Sequence, residues 1–175
     1  MVVQITLILK GDSMKVEVTH PDTGEKVVLD MPNLSDDQIR EMASEFSSDK
    51  QLESKLDNLP LSAEGKAFLA KFMKFTVKVG GTAIKLGKKL VEIAIFVATK
   101  LKHLTFWTVL GAIVAFMVTM IPLIGSLLGS FLAPIIMLGG LAKGFYEQVK
   151  SSDPSIVEII ENSTTSFRPL SGEFA

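Results

Sequence analysis

Residues 104–142 run for 39 positions without one charged side chain, and Pro122, Gly125 and Ser126 interrupt the run near its middle. An apolar run of about 18 residues is already long enough to span a bilayer, and one about twice that length with a central turn signal reads as a helical hairpin. The halves are 105–121 and 123–142. At about 1.5 Å per residue the first is about 26 Å long, slightly under the hydrocarbon core of about 30 Å. The helices therefore either extend outward to Leu101 and Phe145 or enter the bilayer without crossing it. Lys100 and Lys102 flank one end, Lys143 and Lys150 the other, and the turn is uncharged. The positive-inside tendency then places head and tail on the cytoplasmic side of a membrane. Trp107 and Tyr146, each the only one of its type, lie near those same ends, where amphipathic rings favour an interface. The competing reading is a soluble helical domain whose hairpin is wrapped by amphipathic helices.

The net charge of −1 hides a segregation into four blocks. Residues 1–60 carry 12 acidic and 6 basic side chains, and residues 61–103 carry nine lysines against Glu64 and Glu92. After the uncharged block 104–142, residues 143–175 carry 3 basic and 5 acidic groups. This predicts an acidic head (1–60), a lysine-rich segment (61–103), a hydrophobic hairpin (104–142) and a polar tail with a short helix (143–175). The absence of cysteine rules out disulfides and thiolate metal sites. The first residues, Met1-Val2-Val3-Gln4-Ile5, have no basic region and do not read as a secretory signal.

In the head, Val3, Ile5, Leu7 and Leu9 alternate with polar residues, as do Met14, Val16 and Val18, and residues 27–29 add a third short apolar run. Turn chemistry at Lys10-Gly11-Asp12-Ser13 and at His20-Pro21-Asp22-Thr23-Gly24 predicts a three-stranded antiparallel meander. Ser35 with Gln38 and Ser48 with Gln51 are capping boxes. They open helices with Ile39, Met42 and Phe46 on one face of the first and Leu52, Leu56 and Leu59 on the second. Pro60 ends the second helix and Ser62 caps a third.

Read as one helix at about 100° per residue, 66–102 gathers Lys66, Lys71, Lys74, Lys78, Lys85, Lys88, Lys89, Lys100 and Lys102 into an arc of roughly 160°. Phe68, Leu69, Phe72, Phe75, Val79, Leu86, Leu90, Ile93, Val97 and Leu101 take the opposite side. Such a helix would lie on anionic lipid headgroups, with Lys71, Lys74, Lys78, Lys85, Lys88, Lys89, Lys100 and Lys102 as the contacts. Two other readings compete, a solvated face and a face on which the acidic head docks. Nucleic acid is disfavoured, because the only arginines are Arg40 and Arg168 and Phe96 is the only aromatic residue on the basic face. Gly80-Gly81 bends this helix, each glycine costing about 1 kcal/mol against alanine. Gly80, Gly87 and Ala94, spaced by seven, form a narrow seam for a partner helix, and Gly125 and Gly129, with Ser126 and Ser130, form a second. Most such seams serve packing within a chain, and self-association is the competing role they offer.

Catalysis finds no footing. His20 and His103 lie far apart without a carboxylate at ligand spacing, Asp36 and Asp37 read as first-turn helix residues, and Gly139-Gly140 lies in apolar sequence. No catalytic residue, metal site or cofactor is expected. Asp153-Pro154 starts a last short helix, and 163–175 is read as a tail or a strap. Asn162-Ser163-Thr164 matches a glycosylation acceptor but falls in the cytoplasmic tail.

The fold class is therefore mainly α with a small N-terminal β-meander, a long amphipathic helix and a membrane hairpin. The expected function is a scaffold subunit of a homo-oligomeric membrane-bound assembly of viral or mobile-element type. An amphipathic basic helix followed by a hydrophobic hairpin is similar in plan to pore-forming bacterial toxins of the colicin type, a likeness carried by no individual motif. It implies the runner-up, a membrane-permeabilising effector. A soluble binding module with a buried hairpin is the third reading.

Overall fold

The computed structural model describes residues 3–5, 13–44, 47–101, 105–121, 129, 131, 133, 135, 151 and 154–171. The chain is mainly helical with a small N-terminal sheet, and it divides into two compact units, Met1–Glu92 and Ile93–Ala175.

In the first unit, strands β1 (Val3–Ile5), β2 (Ser13–Thr19), β3 (Lys26–Pro32), β4 (Thr76–Val79) and β5 (Thr82–Ile84) form one sheet in the order β1-β3-β2-β4-β5. β2 and β3 make the expected antiparallel hairpin, with Val16 opposite Leu29 and Val18 opposite Val27. The meander fails at its first strand. β1 pairs in parallel with β3, Val3 opposite Val27, so the other edge of β2 is left to β4.

β4 and β5 come from the segment read as one amphipathic helix. That helix does not exist as one element. The chain forms α3 (Ala63–Phe72), then β4 and β5, then α4 (Leu86–Lys100). The cause is local. Gly80 and Gly81 adopt φ of 55° and 87°, the left-handed values that both central residues of a tight hairpin turn require. Val79 then stands opposite Thr82 and Val77 opposite Ile84 across a two-residue loop. Alternation in Thr76-Val77-Lys78-Val79 does the rest, turning Val77 and Val79 inward and leaving Lys78 exposed. The head therefore extends well past residue 60.

Helices α1 (Asp36–Ala43) and α2 (Asp49–Asp57) start where the sequence requires. In both capping boxes the serine oxygen accepts the backbone N–H three residues on, and the glutamine oxygen accepts the serine N–H. Ser62 caps α3 in the same way through the Gly65 N–H. The apolar stripes of these helices, Ile39 and Met42, Leu52 and Leu56, Leu69 and Phe72, are buried, as are Val16, Val18, Phe75, Val77 and Val79. Phe46 lies outside the described residues.

The second unit contains α5 (Phe106–Met120), α6 (Pro154–Thr164) and a 3₁₀ segment, Thr165–Ser171. α6 begins at the proline that the sequence marked. Past it the chain is more ordered than its lack of period suggests, with Phe167 fully buried and Leu170 nearly so. That agrees with a strap rather than a free tail. Among the described residues no helix is long and apolar enough to cross a membrane. α5 has 15 residues, about 22 Å, and most of the expected second half of the hairpin lies outside the described residues.

Candidate functional site

The lysines expected to share one face are dispersed by the hairpin at Gly80-Gly81. Lys71 lies in the last turn of α3, and its ammonium is 3.1 Å from Asp22 Oδ1 in the β2–β3 turn. Lys74 is exposed between α3 and β4, Lys78 is exposed on β4 opposite Glu17, and Lys85 is exposed just before α4. Lys100 lies over the ring of Phe96, 4.7 Å from its centroid, and Phe96 is 47% exposed. Lys102 lies outside the described residues. Lys88 and Lys89 depart most from expectation, since both are buried. They cannot lie on a lipid-facing surface in this conformation.

What holds those two ammonium groups is the acidic head. Lys88 Nζ lies 2.8 Å from Asp49 Oδ1 at the start of α2 and donates to the Ser47 carbonyl at 2.9 Å. Lys89 Nζ donates to the Glu41 carbonyl at 3.1 Å, at the end of α1. One turn on, Glu92 is buried, and its Oε1 accepts a hydrogen bond from the Ser47 hydroxyl. Lys66, on α3, adds an exposed bridge to Asp57. Among the described residues the Glu92 Oε2 atom is buried with no hydrogen-bond partner. Glu41, Ser47 and Asp49 are thus fastened to the first two turns of α4 by one ion pair and by hydrogen bonds. Isolated buried charges cost several kcal/mol unless paired, so the pairing mainly offsets the cost of burying these groups.

Electrostatics follow the geometry. The Lys88 ammonium holds the Asp49 carboxyl below its ordinary value, first through the hydrogen bond and then through charge, with Lys85 adding to it. Burial pushes the Lys89 ammonium below its ordinary value, and the charges of Glu92 and Glu41 pull it part of the way back.

The first small-residue seam serves the chain itself. Gly80 is a turn residue. Gly87 opens α4 against the end of α3, where its N–H donates to the Phe75 carbonyl at 3.0 Å and a Cβ would fall 2.0 Å from the Phe72 carbonyl oxygen. Ala94 is fully buried. In the second seam Gly129 is exposed with open space around its Cα, while Gly125 lies outside the described residues. Trp107 is half-buried on α5, edge-on to Phe106 with centroids 5.5 Å apart, and Tyr146 lies outside the described residues. Sequence reasoning did not identify Ser47 and Asp49 as the partners of Lys88, Glu41 as that of Lys89, or the Ser47–Glu92 hydrogen bond beside them. The signals available were the reading in which the acidic head docks on the lysine face, and Lys88-Lys89 followed by Glu92 within a largely apolar helix.

Among the described residues no group of three or more histidine, aspartate or glutamate side chains is placed to hold a metal ion. A comparison of the chain with protein-family models, with curated proteins and with solved structures finds no match.

Proposed function

We propose that the protein is a non-enzymatic, membrane-associated structural subunit in which an acidic, lysine-fastened α+β head carries an apolar C-terminal half to a lipid surface, anionic lipid being preferred, with copies of the chain associating there. The observation that carries this reading is the composition of α5 together with the uncharged block around it. No position of α5 is charged, including those that are not fully buried, Trp107, Thr108, Ala115, Phe116, Val118, Thr119 and Met120. A helix that is hydrophobic all round belongs in a core or in a membrane, and an amphipathic surface helix would place charge at such positions.

A second reading keeps the block inside the protein, and the burial of Val109, Leu110, Ala112, Ile113, Val114 and Met117 favours it. The chain is then a soluble binding module.

Flotation with anionic vesicles separates the two. The full chain is expected to float, and Ala115→Lys to reduce the floated fraction sharply, because a lysine near the centre of an inserted helix costs about 2.5–3.5 kcal/mol. Ala115 is only half-buried, so a soluble fold tolerates that lysine. A wild-type chain that stays monomeric and unbound, or a variant that floats as well as the wild type, overturns the membrane reading.

A further inference from the structure

The end of α4 presents an exposed aromatic ring with a cation above it. Phe96 is 47% exposed, and among the described residues no other large hydrophobic side chain is exposed. Lys100 Nζ stands 4.7 Å from the centroid of that ring, within the roughly 6 Å over which an aromatic face attracts a cation. The two residues are four apart, so one side of the helix carries both, and Lys100 and Thr99 are exposed beside the ring. The surrounding sequence is of one sign. From Ile93 to Tyr146 there is no aspartate or glutamate, and the charged side chains are Lys100, Lys102 and Lys143 alone. The uncharged run 104–142 begins four residues after Lys100.

We propose that Phe96 and Lys100 form an interfacial anchor for an anionic bilayer. The ring enters the boundary between headgroups and acyl chains, where it buries apolar area that water now covers. The ammonium leaves the ring face and pairs with a headgroup phosphate, which its long stem allows while the ring sits deeper. Charge complementarity selects this occupant, because a cationic stretch without a single carboxylate meets no repulsion at an anionic surface. Continuity with the uncharged run points the same way, since a helix that ends beside a membrane-seeking block is where an anchor acts. The inference rests on the membrane reading and adds to it the residues that grip the surface.

The test titrates the full chain with vesicles of mixed phosphatidylserine and phosphatidylcholine and reads the fraction that floats. Lys100→Gln is expected to raise the half-saturating lipid concentration about fivefold, the share of one lysine at an anionic surface. Lys100→Arg is expected to bind as the wild type does. Phe96→Ala is expected to raise that concentration about tenfold, because it removes most of the apolar area the ring buries. Salt separates the two contributions: at high salt Lys100→Gln converges on the wild type, while Phe96→Ala stays weaker. Both side chains are exposed, so the variants are expected to keep the wild-type urea midpoint. Should Phe96→Ala unfold, Lys100→Gln against Lys100→Arg decides the matter. A wild type that floats and loses binding in Ala115→Lys, while Phe96→Ala and Lys100→Gln bind like the wild type, overturns the anchor and leaves the membrane reading standing. A wild type that never floats overturns both. Vesicle-free dimers that Phe96→Ala lacks, with lipid binding unchanged, give the patch to a second copy of the chain and overturn the anchor as well.

Discussion

Lys88 and Asp49 form an ion pair that is buried on one side only: the Nζ–Oδ1 distance is 2.8 Å, yet the lysine side chain is 5% exposed and the aspartate 74%. The ammonium therefore depends on a carboxylate that water also solvates, and on the Ser47 carbonyl 2.9 Å away. Lys88→Met keeps the aliphatic stem but leaves that buried carbonyl without this donor. A loss of about 1–3 kcal/mol is expected, read from urea denaturation at unchanged m-value.

Asp49 and Lys89 give the stability profile opposite limbs. The folded-state pKa of Asp49 lies below 3.8, so its contribution is present in full above that value and is lost as pH falls through the folded-state value. The folded-state pKa of Lys89 lies below 10.5, so the folded chain holds this proton less tightly than the unfolded one. That penalty is present at neutral pH and is lifted as pH rises through the folded-state value towards 10.5. Urea midpoints from pH 2.5 to 10 are expected to show a shallower acid limb in Asp49→Asn and a flatter alkaline rise in Lys89→Met. Unchanged limbs would remove the roles assigned to these two groups.

Where structure is decided within a few residues, the sequence is legible. Both capping boxes, the Ser62 cap, the β2–β3 hairpin and the start of α6 at Pro154 all fall in place. The segment 66–102 misleads because lysine spacing fits a helix on either side of a four-residue strand, so averaging over the whole window hides the alternation at 76–79. Gly80-Gly81 between β-branched residues was the stronger local signal, since two glycines suit a hairpin turn better than a helix interior. The burial of Lys88 and Lys89 depends on where α1 and α2 dock, and nothing within the lysine pattern reports that. β1 joining β3 in parallel is likewise a choice among sheet edges that alternation alone does not make.

Gly81 tests the hairpin directly. Its φ of 87° suits glycine, and its Cα faces open space, so Gly81→Ala adds strain without a clash. About 1–2 kcal/mol of destabilisation is expected, and less for Gly81→Asn, since asparagine tolerates left-handed backbone. Were 66–102 one helix, Gly81→Ala would be stabilising instead, which makes the sign of the change in thermal midpoint decisive.

Gly87 illustrates close approach within the chain. A Cβ there would sit 2.0 Å from the Phe72 carbonyl oxygen and 3.0 Å from its carbon, both backbone atoms that cannot swing aside. Gly87→Ala is expected to cost at least the 1–3 kcal/mol or so typical of overpacking, measured by denaturation of the monomer at low concentration. A neutral result would mean that α4 does not start against the end of α3.

Gly129 is the better probe of association, because it is exposed and a Cβ added there meets nothing within 4 Å among the described residues. If the small-residue pair Gly125 and Gly129 brings copies together in the membrane, Gly129→Leu prevents the close helix approach that such pairs allow. Cross-linking of vesicle-bound wild type is expected to give a ladder of species that Gly129→Leu lacks, while both chains float equally. The same vesicles loaded with a small dye separate a scaffold from a permeabilising effector. A scaffold leaves the dye enclosed at every protein density, and in α5 the polar side chains are only Thr108 and Thr119, with Thr105 as its cap, too few to line a wide aqueous path. Dye release that rises steeply with wild-type concentration and vanishes in Gly129→Leu would instead make the oligomer a pore.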